Sequence, residues 1–347
     1  RSWGTITIIA KKVPFTPEEG EAVRRFSKER RFDLVYLTGM ADAEANIYVK
    51  MPSDEYPMAF KTVLDSRTRG VFLRDYLFDI NPVRDENPFF NYYLKLENIV
   101  KIYSVMGKKW AYFLEEGYLL PIVFIQVFFI SILLILLPAL GSITSTDRQG
   151  GEHRARRIKR PGQLLYFASL GLGFMFVEIP LIQKMILPLE NPSYAMAAVL
   201  VSILTGSGIG SLLSSRFAPL MRPFILPLIS FLIVVYGILE PSISAAIAPH
   251  PIPWKIASAV LLLIPLSLPM GIPFPLGIKN LGETDPAIIP WAWATNGCLS
   301  VLAPVLTMML AMVIGFKGVL WLGACADLLA YVTFPGAQKI QKDKDTV

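Results

Sequence analysis

The sequence predicts a polytopic α-helical membrane protein of about seven spans, preceded by a partial α/β domain. Hydrophobic residues make up 53% of the 347-residue chain, and the mean hydropathy of +0.49 is too high for an ordinary soluble protein. Most acidic residues precede residue 117, and beyond it apolar stretches alternate with short charged connectors. We therefore predict a soluble domain (1–116), a membrane domain (117–335) and a polar tail (336–347).

The soluble domain begins with a pattern that is typical of a strand, a helix and a second strand. Residues 5–12 (TITIIAKK) alternate Thr and Ile, and residues 32–37 (FDLVYL) are apolar and aromatic, so both predict strands. Between them, Thr16 is a suitable helix cap, Pro17 fits the first helical position and Glu19 completes a capping box. This order predicts part of an α/β sheet. Two further helices are expected, over residues 57–67 and 71–78.

The membrane domain is predicted from stretches of about 20 apolar residues, the length that a helix needs to cross the hydrocarbon core. The fifth stretch ends in LSLPMGIPFPLG, where three prolines must interrupt the helix. Carbonyls freed at such a break need partners inside the protein. The third stretch contains small residues four apart, Gly206 and Gly210, which let helix backbones approach closely. The seven candidate spans are 117–141, 163–188, 193–215, 223–247, 254–277, 288–315 and 317–335.

Basic residues between the spans predict the sidedness of the chain. A cluster in the first connector is typical of a loop at an anionic cytoplasmic surface, so the net charge of +6 does not indicate nucleic-acid binding. The positive-inside rule then places the C-terminus in the cytoplasm and residues 1–116 outside, whereas Lys108 and Lys109 favour the opposite orientation. The basic residues that set this orientation are Arg154, Arg156, Arg157, Lys159, Arg160, Arg216, Arg222, Lys279, Lys339, Lys342 and Lys344.

The sequence carries no recognisable catalytic or cofactor-binding motif. It contains no G-x-G-x-x-G, no P-loop, no nucleophile elbow and no Ser/His/Asp arrangement. Cys298 and Cys325 both fall in apolar segments, which gives neither a disulfide framework nor a Cys/His metal spacing. His153 and His250 are isolated in predicted loops. We therefore expect no catalytic residue, metal or cofactor site in this chain.

Polar residues within the predicted spans are candidates for an intramembrane site. A carboxylate there costs about 2.5–3.5 kcal/mol unless it is paired or hydrated. Glu178, in the second span, could bind a cationic amine, relay protons or pair with a basic group of a neighbouring helix. Gln183 and Lys184 lie on other parts of the same helix, and the Lys184 ammonium could reach the interface from the end of the span. The same reasoning applies to Asp327 in the last span.

The broken fifth span and the start of the sixth form a second candidate site. Broken helices place free backbone groups at membrane depth, as in transporter sites, although a packed kink is an alternative. Tryptophans at the start of the sixth span suit the membrane interface but could also wall a pocket. A loop acidic pair, Asp85 and Glu86, is a further candidate, with a solvated or structural role as its alternative. The candidate pocket residues are Pro269, Pro273, Pro275, Trp291, Trp293 and Asn296.

Several stretches occur in an order that is difficult to obtain by chance. In the soluble part they are RSWGTITIIAKKVPFTPEE, FDLVYLTGM and INPVRDENPFFNYYL. In the membrane part they are LLYFASLGLGFMFVEIPLIQKMILPL, SYAMAAVLVSILTGSGIGSLLSSR, GIPFPLGIKNL and PWAWATNGCLSVLAPVL. Together they resemble the C-terminal portion of the spermidine-synthase-like integral membrane proteins of bacteria, over nearly the whole chain.

This resemblance implies a domain with the methyltransferase and aminopropyltransferase fold, joined to a membrane domain in the bacterial inner membrane. The family usually has an acidic pair followed by Arg-Pro-Phe-Phe, whereas here Asn87 replaces the Arg. The family's Gly-rich nucleotide loop, and the acidic residues that handle an amine, lie upstream of this region. An S-adenosylmethionine-type cofactor is therefore expected only with an upstream domain, which a start without Met also suggests.

Three functions are compatible with these observations. The favoured hypothesis is a non-catalytic membrane scaffold or partner-binding subunit, with the lipid bilayer and other membrane subunits or an upstream domain as partners. The second is a membrane-anchored aminopropyltransferase or methyltransferase whose catalytic part lies upstream. Its cofactor is cytoplasmic, so an external soluble domain argues against it. The third is a transporter of a cationic or lipid-like solute, although no repeat of spans is evident.

Overall fold

The computed structural model describes residues 5–50, 55–90, 92–93, 95–107, 119–133, 161–221 and 224–334. The chain divides into two compact units. Unit 1 comprises Arg1–Pro82 and Tyr92–Ala111, and unit 2 comprises Val83–Asn91 and Tyr112–Val347. The segment 83–91 thus belongs to unit 2, although it falls within the predicted soluble domain.

The described part of unit 1 contains four α-helices, of which the first begins as predicted. The Thr16 hydroxyl accepts a hydrogen bond from the Glu19 amide (3.3 Å), and the Glu19 carboxylate accepts one from the Thr16 amide (2.9 Å). The Lys11 ammonium and the Thr16 amide both bind that carboxylate, so the pKa of Glu19 is lowered from its ordinary value. The helices are α1 (Pro17–Arg30), α2 (Glu55–Leu64), α3 (Ser66–Asp75) and α4 (Ile99–Met106).

The two predicted strands, at 5–12 and 32–37, are not formed in the described part of unit 1. Residue Leu34 pairs with Ala45 in an isolated bridge, and no strand element is present among the described residues. A strand requires a neighbour along its length, which an alternating sequence does not supply. Here the amides of residues 47–49 instead donate to the Asp33 carboxylate at 2.7–2.8 Å.

Unit 2 is helical, and its described residues contain five stretches that are long and apolar enough to cross a membrane. This confirms the prediction of a multi-pass helical domain at that level. Of the first predicted span, 117–141, residues 119–133 are described, and they include a 13-residue apolar helix. The rest of that span lies outside the described residues. The helices are α5 (Leu119–Ser131), α6 (Pro161–Leu189), α7 (Pro192–Met221), α8 (Ile225–Ile247), α9 (Ile252–Met270), α10 (Pro273–Thr284) and α11 (Ile289–Thr333).

Two backbone breaks interrupt the apolar stretches within the described part of unit 2. The first lies at residues 271–272, between α9 and α10, as the proline-rich sequence predicts. The second lies inside α11 at Gly315, whose φ of 74° and ψ of 163° are not helical. A straight helix of this length would extend about 68 Å, roughly twice the hydrocarbon thickness. Glycine tolerates this conformation because it has no Cβ atom.

Small residues let the helices of unit 2 approach closely. A Cβ atom on Gly171 of α6 would lie 2.6 Å from the backbone oxygen of Asn296 on α11. A Cβ atom on Gly210 of α7 would overlap with the Leu268 carbonyl of α9, and one on Gly271 would overlap with the Ser207 carbonyl. The predicted role of the third span's small residues in backbone packing is therefore confirmed.

Candidate functional site

A cavity of about 450 Å³ lies within unit 2, where α6, α7 and α11 meet the break between α9 and α10. Its walls are mainly apolar and aromatic, with several hydroxyl groups and a single acidic side chain among the described lining residues. Small-molecule sites commonly combine these properties. The lining residues include Phe174, Ser207, Gly208, Phe274, Asn296 and Asp327.

The Asp327 carboxyl faces this cavity from the second part of α11. The residue is only 5% exposed, and no hydrogen bond or ion pair joins it to another described residue. A Cβ atom on Gly173 of α6 would lie 3.1 Å from the Asp327 Oδ1 atom. The absence of a side chain at Gly173 therefore leaves space for the Asp327 carboxyl group. An ionised carboxylate in an apolar interior is unfavourable without a partner. A proton, water or a cation in the cavity would supply one.

The break between α9 and α10 is held in place by polar contacts. The Tyr166 hydroxyl of α6 donates to the Pro273 carbonyl at 2.6 Å, and the Asn296 amide donates to the Phe167 carbonyl at 3.0 Å. The Tyr166 bond reaches the first residue of α10, directly after the break, whereas the Asn296 bond joins α11 to α6. They also fix α6 relative to the two elements that form the opposite wall of the cavity.

Three of the six predicted pocket residues, Pro273, Pro275 and Asn296, line the cavity. Pro269 is buried within α9 instead. Trp293 is 58% exposed and packs edge-on against the Phe274 ring, with a centroid separation of 4.7 Å.

Trp291 also lies outside the lining set. Its buried indole nitrogen has no hydrogen-bond partner among the described residues. The cavity lining therefore contains three of the six predicted pocket residues, whereas Trp293 packs against Phe274.

A separate ion cluster surrounds Lys184. Its ammonium donates to Glu86 Oε1 and to Glu240 Oε2, each at 2.8 Å. The Lys184 and Glu240 side chains are 6% and 7% exposed, whereas the Glu86 side chain is 41% exposed. The Ser244 hydroxyl donates to the other oxygen of Glu240 at 2.6 Å. We call Lys184, Glu86 and Glu240 the Lys184 cluster.

Glu86 also caps the part of α11 that follows the Gly315 break. Its backbone carbonyl accepts from the Phe316 amide (2.8 Å), and its carboxylate accepts from the Lys317 amide (3.1 Å). These two amides begin the helix and have no helical acceptor of their own. The positive end of the helix dipole favours the carboxylate at this position. Of the two alternatives predicted for the acidic pair, a solvated or a structural role, the contacts of Glu86 are structural, whereas Asp85 is exposed.

The sequence candidates of the second span are not brought together. Glu178 is 8% exposed, forms no ion pair with a described residue and lies outside the cavity lining. Gln183 is half-buried, and no hydrogen bond joins its side chain to a described residue. The Lys184 ammonium is buried in the Lys184 cluster and is not extended into solvent, and its position relative to the membrane interface stays a prediction.

Sequence reasoning missed Glu240 as a site residue. Glu240 lies inside the predicted span 223–247, so the signal that identified Glu178, an acidic residue in an apolar stretch, was present for it as well. Within the described ranges, no group of three or more His, Cys, Asp or Glu residues could hold a metal ion. The cysteines are free, with Cys298 buried and Cys325 exposed.

The fold and the cavity together define a class, a helical membrane protein with a partly polar cavity inside its membrane domain. No protein-family model, curated protein or solved structure matches the chain.

Proposed function

We propose that this chain is a spermidine-synthase-like integral membrane protein whose membrane domain binds a small solute and carries it across the bilayer. The observation that carries the proposal is the cavity, which lies at a broken span and is faced by the buried Asp327 carboxyl. Broken helices that meet at a polar cavity are the usual form of a transporter binding site. A scaffold needs no such cavity, so we place transport ahead of the scaffold.

The proposed topology has seven spans in the bacterial inner membrane. The described residues contain five candidate stretches. The long helix α11 counts as two spans if the chain turns back at Gly315, which gives six. The predicted span 117–141 is the seventh. The basic connectors favour a cytoplasmic C-terminus and an external segment 1–116. The lipid bilayer and other membrane subunits or an upstream domain remain the proposed partners. An S-adenosylmethionine-type cofactor would belong to the upstream domain.

Filling the cavity tests this function. Gly208 lines the cavity, and a Cβ atom there would meet open space, so Gly208→Leu adds volume without a backbone clash. Gly297→Leu is the matched control, because Gly297 is also helical and has open space but does not line the cavity. Both proteins would be reconstituted into liposomes at equal density.

Uptake would be measured for three probes of similar shape and different charge: tetramethylammonium, trimethylamine N-oxide and tert-butylsulfonate. We expect at least one to enter faster than into empty liposomes, with a loss of at least about tenfold in Gly208→Leu and none in Gly297→Leu. A tenfold loss corresponds to about 1.4 kcal/mol. Uptake of all three at the rate of empty liposomes, or equal losses in both variants, would contradict the proposal.

A further inference from the structure

We infer that the solute held in the cavity is a small organic cation, with the Asp327 carboxylate as its counter-ion. This inference rests on the proposed function, which leaves the charge of the solute open. Its basis is the combination of an aspartate that is 5% exposed and has no described partner, a cavity that this residue lines, and two aromatic side chains in the same lining.

The charges around the cavity favour a cation over an anion. Asp327 is the one charged side chain among the described lining residues. Lys184 is the basic residue of α6, but it does not line the cavity. Its ammonium already donates to two carboxylates. One of the two N–H groups of the Asn296 side-chain amide is used, because it donates to the Phe167 carbonyl. An anion would meet an acidic group without a basic one, which is unfavourable in a low-dielectric interior.

The walls suit an organic ammonium ion. Phe174 and Phe274 both line the cavity, and the face of an aromatic ring attracts a cation. The Phe274 ring is itself held edge-on by Phe167 and Trp293, at centroid separations of 5.4 and 4.7 Å. The hydroxyl of Ser207 adds an acceptor for an N–H group. A proton alone would neutralise Asp327, but it would not require a cavity of about 450 Å³.

Equilibrium binding to the purified 347-residue chain in lipid nanodiscs tests the inference. Isothermal titration would compare tetramethylammonium with trimethylamine N-oxide and tert-butylsulfonate. We expect saturable binding of the cation and at least tenfold weaker binding of the other two. Asp327→Asn should weaken cation binding on the order of 30-fold or more, since removing one partner of a buried charge pair has effects of this size.

Glu178→Gln is the matched control, because Glu178 is also a buried carboxylate within a span but does not line the cavity. It should leave cation binding unchanged. Gly208→Leu should abolish binding, and it provides a second test if Asp327→Asn fails to fold by size-exclusion chromatography.

The outcomes separate the inference from the proposed function. The neutral or the anionic probe could instead bind the wild-type chain and fail to bind Gly208→Leu. That result would overturn the inference that the solute is a cation, while the proposed function would stand. Binding of the cation by folded Asp327→Asn with wild-type affinity would overturn the role of Asp327. No binding and no uptake of any probe would overturn both proposals.

Discussion

Replacing Lys184 with Met should destabilise unit 2 more than replacing either of its acidic partners. Methionine fits the space of the lysine stem but removes the ammonium, so Glu240 keeps a buried charge whose remaining described partner is the Ser244 hydroxyl. Removing one partner of a buried ion pair costs about 3–5 kcal/mol. We expect the free energy of unfolding to fall by about this amount.

The two carboxylates should differ because their burial differs. Glu240→Gln removes the partner that is 7% exposed, but Lys184 keeps Glu86, so we expect a loss of about 2–3 kcal/mol. The Glu86 side chain is 41% exposed, and an exposed ion pair contributes about 1 kcal/mol or less. Loss of the charge at the helix start adds about 0.3–1 kcal/mol. Glu86→Gln should therefore cost about 1 kcal/mol.

A double-mutant cycle isolates the interaction between Lys184 and Glu240. The double variant Lys184→Met/Glu240→Gln has no unpaired charge at the buried position, and replacing a whole buried pair is often nearly neutral. The free energy of unfolding should therefore fall by about 2 kcal/mol less in the double variant than in Lys184→Met alone. Unfolding would be followed by far-UV circular dichroism during SDS titration in mixed micelles. Gln183→Met, on the adjacent residue, is the control and should change stability by about 0.5 kcal/mol.

Two results would refute this reasoning. If Lys184→Met costs no more than Gln183→Met, the ammonium does not stabilise buried carboxylates. The second result is a double variant whose loss of unfolding free energy equals the sum of the two single losses within about 0.5 kcal/mol. In that case Lys184 and Glu240 act independently, and the buried pair has no coupling.

Two further predictions concern the break in α11 and the sidedness of the chain. Gly315→Ala should destabilise unit 2 by about 1–3 kcal/mol, because alanine is strained at a φ of 74° and ψ of 163°, whereas Gly297→Ala should be neutral or stabilising. The SDS titration would measure both, and equal effects would contradict the strain. In a cysteine-free background, Asp42→Cys should react with an impermeant maleimide in intact cells, whereas Gly282→Cys should react only after lysis. The reverse pattern would reject the proposed orientation.

Features that depend on residues close together in the sequence were predictable from the sequence alone. Apolar stretches of sufficient length predicted the multi-pass helical domain, because a spanning helix satisfies its own backbone hydrogen bonds. The α1 start at Thr16 and the proline-rich break near Pro273 follow from local backbone chemistry in the same way. The predicted strands at 5–12 and 32–37 failed because a strand needs a partner that its own sequence does not supply.

The partners of the polar side chains were decided by the tertiary structure. Lys184 lies 98 residues from Glu86 and 56 from Glu240 in sequence, so no local pattern pairs them. Glu178 carried the same sequence signal as Asp327, yet Asp327 faces the cavity and Glu178 does not. Hydropathy determines which segments can enter the bilayer. The rotation and packing of each helix determine which of its polar groups meet, since those contacts join residues that are distant in the chain.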